Sequence, residues 1–250
     1  MDVNLDGLPD EILEFSRSRL TRQGPLVVGD LQLSAAEIVA RIGPLLTDER
    51  RQRLEQVVAK RTYSFVPVFE NPYDLGNISA VMRSCEAFGF LEFDLVIPPG
   101  SRFKAANRVA RGADKWLDVH LYRSPKDCVA HLHQRGFQVY ATHLESAVSI
   151  EKVDFRKPTA VVLGNEKDGV SKEMLDAVDG RFIIPMQGFT QSFNISVAAA
   201  LTFYHAWRER ERTVGGGDLS EADRLQVLAN YYLRCLDRPE AILSKLMARE

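Results

Sequence analysis

Apolar positions change period several times along the chain. Residues Pro9–Leu20 and Ser34–Ile42 carry short helical spacings, and Ser34 stands three residues before Glu37, as in a capping box. Thr47 or Asp48 is placed to cap a basic helix over Glu49–Lys60. At Tyr63 the pattern becomes a continuous apolar run. Tyr63–Phe69 predicts a buried strand, which its internal proline demotes toward an edge. Ile78–Phe88 predicts a helix with Ile78, Val81, Met82, Cys85 and Phe88 on one stripe. Strands are predicted over Phe93–Ile97, Gln138–Ala141, Ala160–Leu163 and Arg181–Ile184. Helices are predicted over Pro125–Gln134, Ser171–Asp176 and Ser196–Arg212. This alternation implies an α/β domain with a mostly parallel sheet flanked by helices. Gly215-Gly216-Gly217 is a flexible break before two amphipathic helices, Leu219–Leu236 and Pro239–Ala248.

Composition narrows the class. With 250 residues, 45% apolar and 26% charged, the chain is neither disordered nor a coiled coil as a whole. No apolar stretch approaches the roughly 18–20 residues of a membrane span. Asp2, Asp6, Asp10, Glu11 and Glu14 crowd the start, against a signal or transit peptide. Three scattered cysteines form no disulfide framework, so the expected compartment is the cytosol or an equivalent reducing space. The net charge of −2 neither announces nor excludes a nucleic-acid partner, because local patches outweigh the sum.

Three segments carry candidate chemistry. In Asn71–Arg83 (NPYDLGNISAVMR) a turn-rich loop runs into a helix for which Asn77 is a candidate N-cap, and Arg83 follows six residues later. In Val161–Ser171 (VVLGNEKDGVS) a strand ends in a loop bracketed by Gly164 and Gly169. The spacing nearly matches a phosphate-binding P-loop, but Val170 stands where the lysine is needed, which excludes nucleotide triphosphate hydrolysis. A dinucleotide-dependent oxidoreductase lacks its glycine fingerprint too. What remains is a strand-end loop carrying Glu166, the place where α/β folds bind ligands. In Ile183–Ala198 (IIPMQGFTQSFNISVA) a polar loop leads to Asn194, at or near the cap of the next helix.

In order and in detail these segments resemble the three motifs of the SPOUT superfamily, in its RNA ribose 2′-O-methyltransferase branch. Asn77 and Arg83 match the first motif, Leu163, Gly164 and Glu166 the second, and Ile184 through Ala198 the third. Within the branch the likeness is closest to the tRNA (guanosine-2′-O)-methyltransferase family that acts on the D-loop, at guanosine 18. The resemblance implies a C-terminal deep trefoil knot, a homodimer and S-adenosylmethionine as methyl donor. It implies a donor pocket lined by Thr142, Leu163, Gly164, Ile184, Met186 and Phe193, the last standing where most relatives carry leucine. It implies catalytic roles for Arg83, Asn77, Glu166, Ser192 and Asn194. No metal is implied, and His131 and His133 read as solvated helix surface.

RNA requires a positive path to its phosphates. The resemblance favours Arg102, Lys104, Arg108, Arg111 and Lys115 for that path. The cluster Arg50, Arg51, Arg53, Lys60 and Arg61 stays open between RNA contact and a solvated face. Three stretches follow along the chain: an N-terminal extension 1–46, a methyltransferase domain 47–212 and a C-terminal helical extension 213–250. The extension is open between an RNA-binding or dimer-bracing element and a cap. The expected activity is methylation of a tRNA guanosine. The same chemistry on ribosomal RNA or another tRNA nucleotide is the alternative, and a non-catalytic RNA-binding module of the same fold is the second.

Overall fold

A computed structural model describes residues 8–104, 112–145 and 147–248 of the protein. The chain folds into two compact units, one from Met1–Arg19 and Thr62–Gly216, the other from Leu20–Arg61 and Gly217–Glu250. The first unit holds α1 (Asp10–Ser16). The chain then enters the second with β1 (Leu26–Val28), β2 (Leu31–Leu33), α2 (Ala35–Ile42) and α3 (Asp48–Val58). It returns with β3 (Phe65–Glu70), α4 (Leu75–Ala87), β4 (Glu92–Val96), β5 (Asp118–Tyr122), α5 (Pro125–Gln134), β6 (Gln138–Thr142) and β7 (Val148–Ser149). There follow β8 (Thr159–Leu163), α6 (Lys172–Ala177), β9 (Gly180–Ile183) and α7 (Ile195–Thr213). It ends in the second unit with α8 (Glu221–Arg234) and α9 (Pro239–Met247).

In the first unit the described strands form a seven-stranded sheet in the order β5-β4-β3-β8-β6-β9-β7, and every adjacent pair is parallel. Parallel strands are covered on both faces, which explains the unbroken apolar runs of β3 and β8. Residues alternate between the faces. Phe65 and Phe69 of β3 join the core beneath α4 and α7, with Ile78, Val81, Met82, Ala199 and Phe203. Val66 and Val68 join the core beneath α5 and α6, with Cys128, Leu132 and Met174. Phe65 packs on Phe90, Phe155 and Phe203 with ring centroids 4.2, 6.0 and 5.7 Å away. Truncating such a ring to alanine costs about 3–5 kcal/mol.

Two expectations from the sequence change. The proline-bearing strand is central, lying between β4 and β8. Pro67 pairs with Val161 of β8, and pairing with β4 begins only at Val68. Pro67 thus precedes that ladder, a position that tolerates a residue without an N–H. No strand is expected from the sequence at β5, although Leu117–Leu121 alternates apolar and polar residues, and its polar positions Asp118 and His120 prove to be buried.

The second unit combines the β1–β2 hairpin with α2, α3, α8 and α9. Gly29, at φ 60°, occupies the first position of a two-residue turn that requires a left-handed backbone. The Ser34–Glu37 capping box forms as expected, with Glu37 N donating to Ser34 Oγ and Ser34 N to Glu37 Oε2. Thr47 caps α3. Helix α8 packs on α2 and α3, and its Asn230 closes a two-way bond with the backbone of Thr21. Arg61, grouped by sequence with the basic cluster left open between RNA contact and a solvated face, is buried, its guanidinium 6.0 Å from the Tyr231 ring centroid.

Candidate active site at the strand ends

The first and second motifs meet at the carboxyl ends of β3 and β8, which are adjacent in the sheet. Strand β3 stops at Glu70, and Asn71 takes a left-handed backbone, φ 47°, that turns the chain toward α4. The N-cap of α4 is Asp74, whose Oδ1 accepts from Gly76 N at 2.8 Å. This corrects the sequence expectation of a cap at Asn77 and a start near Ile78. Leu75-Gly76 reads as a turn in sequence, but the aspartate before it offers the backbone its acceptor. Asn77 therefore lies inside the first turn with its side chain free for another partner. That partner is Glu166, whose Oε1 accepts from Asn77 Nδ2 at 2.9 Å. Glu166 also accepts from Tyr73 N at 2.9 Å and Asp74 N at 3.2 Å. One carboxylate thus satisfies three donors at the entry of a helix, where N–H groups lack internal partners and negative charge is favoured.

The loop carrying Glu166 is itself rigid. Asn165 and Gly169 exchange backbone bonds of 2.8 and 2.9 Å. The Asn165 side chain accepts from Lys167 N and Asp168 N and donates to Asn71 O at 2.6 Å. A Cβ on Gly164 would stand 2.3 Å from Gly169 C and Val170 N, so only glycine permits the loop to fold back this tightly. Ser171 caps α6 and also binds Glu70, through N at 2.9 Å and Oγ at 2.5 Å. Burial pushes the Glu70 carboxyl above its ordinary range, against the lowering by these two bonds. Glu70, Asn71, Tyr73, Asp74, Asn165 and Ser171 are contributors that sequence reasoning missed. The available signal was a strand ending in Glu-Asn opposite a loop starting Gly-Asn.

The proposed donor-pocket residues lie along neighbouring strand ends. Strands β8, β6 and β9 are adjacent, and Leu163, Thr142 and Ile184 stand at their carboxyl ends. Thr142 Oγ1 donates to Val162 O at 3.1 Å, and Leu163 is buried. Gly164 follows, with no side chain to keep a ligand from its backbone. Met186 is half-buried, and Ser192, Phe193 and Asn194 are exposed on the loop that leads to α7. Asn194 caps α7, accepting from Ser196 N at 2.9 Å. Arg83 projects from α4, exposed. Among the described residues no hydrogen bond ties Arg83 or Ser192 to the Asn77–Glu166 pair.

Of the expected RNA path, Lys104 is joined directly to this site. Its backbone N donates to Tyr73 O at 2.7 Å and its carbonyl accepts from Leu75 N at 3.3 Å, while its Nζ lies 3.4 Å from Asp74 Oδ2. Arg102 and Lys115 are exposed. Arg108 and Arg111 lie outside the described residues. His131 departs from expectation: it is half-buried on the inner face of α5, its Nδ1 2.5 Å from Tyr122 Oη. Among the described residues Glu92, Asp94 and His120 form a buried group of metal-ligand type. Arg135 already binds both Glu92 oxygens at 2.6 Å.

Residues 64–204 match the model of the SpoU rRNA methylase family, and the chain belongs to that family. The likeness extends to named relatives. The tRNA (guanosine(18)-2′-O)-methyltransferase of Thermus thermophilus is 41% identical over 165 residues, spanning 66% of this chain and 84% of the relative. The enzyme of the same name from Escherichia coli K12 is 38% identical over 163 residues, 65% of this chain and 71% of the relative. The crystal structure of the A. aeolicus TrmH/SpoU tRNA modifying enzyme superposes with a TM-score of 0.69 at 32% identity, covering 76% of this chain and 98% of that one. No helix among the described residues is long and apolar enough to cross a membrane.

Proposed function

We propose that this chain methylates the ribose 2′-hydroxyl of guanosine 18 in the tRNA D-loop, with S-adenosylmethionine as methyl donor. The observation that carries the reading is the grip of Glu166 on Tyr73 N, Asp74 N and Asn77 Nδ2. It fastens the helix bearing Arg83 to the glycine loop beside the donor pocket. The choice of guanosine 18 rests on the named relatives from T. thermophilus and E. coli.

S-adenosylmethionine supplies, when bound, a methyl group on a positively charged sulfur. Thr142, Leu163, Gly164, Ile184, Met186 and Phe193 hold it, chiefly through backbone groups, and the bare backbone at Gly164 fits that task. Arg83 acts as a cation. A guanidinium is a permanent cation, so it holds a phosphate and stabilises the ribose oxygen as its proton leaves to phosphate or water. Its exposure leaves it available to substrate. Asn77 orients the ribose from the α4 side, and Ser192 and Asn194 from the α7 side. Arg102, Lys104, Arg108, Arg111 and Lys115 carry the RNA backbone.

The finer architecture belongs to the same reading. The polypeptide from β8 through α7 forms a deep trefoil knot, as the resemblance implies. Two copies pair across the exposed apolar side chains Phe189, Val197, Leu201 and Tyr204. The protein works in the cytoplasm on folded tRNA. Catalysis belongs to the sheet-bearing unit that holds Thr62–Gly216; the stretch 47–61, expected within the methyltransferase domain, groups instead with the accessory unit of Leu20–Arg61 and Gly217–Glu250.

The test is transfer of labelled methyl from S-adenosylmethionine to total tRNA and to ribosomal RNA separately, followed by mapping. The expected result is a single 2′-O-methylguanosine in the D-loop. Label confined to ribosomal RNA overturns the substrate, and label on a base or on protein overturns the reaction.

A further inference from the structure

The tip of the Glu166 loop carries a second cation. Lys167 is exposed, and its Nζ lies 3.8 Å from the centroid of the Tyr73 ring. Its backbone N is held by Asn165 Oδ1 at 2.8 Å, inside the loop closed by Asn165 and Gly169. Tyr73 is equally anchored. Its N–H donates to Glu166 and its carbonyl accepts from Lys104 N. A lysine on a surface loop ordinarily wanders over many rotamers. Here the backbones that carry both side chains are held, Lys167 by Asn165 and Tyr73 by Glu166 and Lys104, and an aromatic face attracts the ammonium. Lys104, whose backbone N donates to Tyr73 O, lies within ion-pair distance of Asp74. Lys167 has no carboxylate partner among the described residues, so its charge remains available to a ligand.

We infer that Lys167 is a substrate-positioning residue: stacked on Tyr73, it presents its ammonium to a phosphate flanking the target ribose. This rests on the proposed action on RNA. A free side chain would surrender its freedom when RNA arrives. The stack removes part of that cost in advance, and the rigid loop ties the cation to the same carboxylate that places Asn77. The ammonium is a point charge, suited to one phosphate without reading a base.

Equilibrium tRNA binding across a salt series, S-adenosylmethionine affinity and methyl transfer are measured for the full chain and its Lys167→Met, Lys167→Arg and Tyr73→Leu variants. Lys167→Met is expected to weaken tRNA binding severalfold and to reduce the slope of log affinity on log salt by about 0.7–0.9, the loss of one phosphate contact. KM for tRNA rises while kcat and donor affinity hold. Lys167→Arg restores the slope. Tyr73→Leu weakens binding less and leaves the slope intact, because the charge survives without its support. Wild-type affinity and slope in Lys167→Met overturn the inference. So does a joint fall in donor affinity, kcat and thermal stability, which marks a purely structural residue. Binding without methyl transfer by the wild type overturns the proposed reaction while the salt slope still decides the role of Lys167.

Discussion

Two polar networks occupy the sheet-bearing unit, and they are built on opposite rules. One lies between β4, β5 and the inner face of α5. Glu92, Asp94 and Asp118 there are completely buried. Arg135 forks onto Glu92 with two 2.6 Å bonds, and Arg19 Nε stands 3.3 Å from Asp118. His120 turns Nε2 toward Asp118 at 3.2 Å and Nδ1 toward Glu92 and Asp94 at 3.7 and 3.8 Å. Burial pushes the Tyr122 phenol and the Cys128 thiol above their ordinary ranges, so both stay neutral. The other network, around Glu166, holds fewer charges. Its carboxylate is matched to N–H donors, the neighbouring Lys167 is exposed, and Arg83 stands exposed farther along α4. Burial and density of charge therefore do not mark the proposed working end of this fold. The buried group turns its charges on one another, whereas the cations Arg83 and Lys167 stay exposed, as the proposed binding of substrate requires.

This contrast breaks most sharply at Arg135. Arg135→Ala leaves Glu92 buried without its guanidinium, a loss of about 3–5 kcal/mol. For a chain of this size that lowers the melting temperature by roughly 6–20 °C. Turnover per folded molecule at low temperature is expected to stay at the wild-type level. A fall in kcat with unchanged stability would show the two networks to be one. Arg83→Ala is the mirror experiment. It is expected to lower kcat by about 10²–10³, the effect of removing a group that stabilises developing negative charge, with the melting temperature unmoved. Arg83→Lys does not restore the rate, because an ammonium lacks the planar fork. A kcat near wild type in Arg83→Ala ends the assignment of that residue.

What was legible in the sequence follows the same division. Asn77 and Glu166 were joined in one site by the family resemblance, and they do bond. Apolar periodicity located β3, β8 and α7, because their buried faces are made of apolar side chains. Strand β5 was passed over although Leu117–Leu121 alternates apolar and polar residues; what the pattern hides is that its polar positions, Asp118 and His120, are buried as well. His131 was misread as solvated for a related reason: its partner Tyr122 lies on that unrecognised strand. Lys167 and Tyr73 come from two motifs far apart in the chain, and only their meeting gives either a role. Local pattern conveys apolar burial well and conveys polar burial only once the partner is known.

Glu70 tests the boundary between the two rules, because it is a buried carboxylate placed directly beneath the site. Its folded-state pKa is raised by burial despite two bonds from Ser171. A raised carboxyl favours the folded state most when protonated. Its contribution is therefore complete below the ordinary glutamate value of about 4.3 and is lost as pH rises through the raised value. Glu70→Gln fixes the neutral form. The amide oxygen accepts from Ser171 N, and the amide N–H donates to Ser171 Oγ. The difference in melting temperature, variant minus wild type, is expected to grow upward from about pH 4 and level off above the raised pKa. Methyl transfer should persist, since Asn165 still binds Asn71 and Glu166 still holds α4. The effect should be smaller than that of Arg135, because Glu70 loses only an ionisation cost whereas Arg135→Ala strands a buried charge. A difference that shrinks with rising pH would mean that the ionised carboxylate is the form Ser171 stabilises. Glu70 would then belong with the compensated charges of the α5 network.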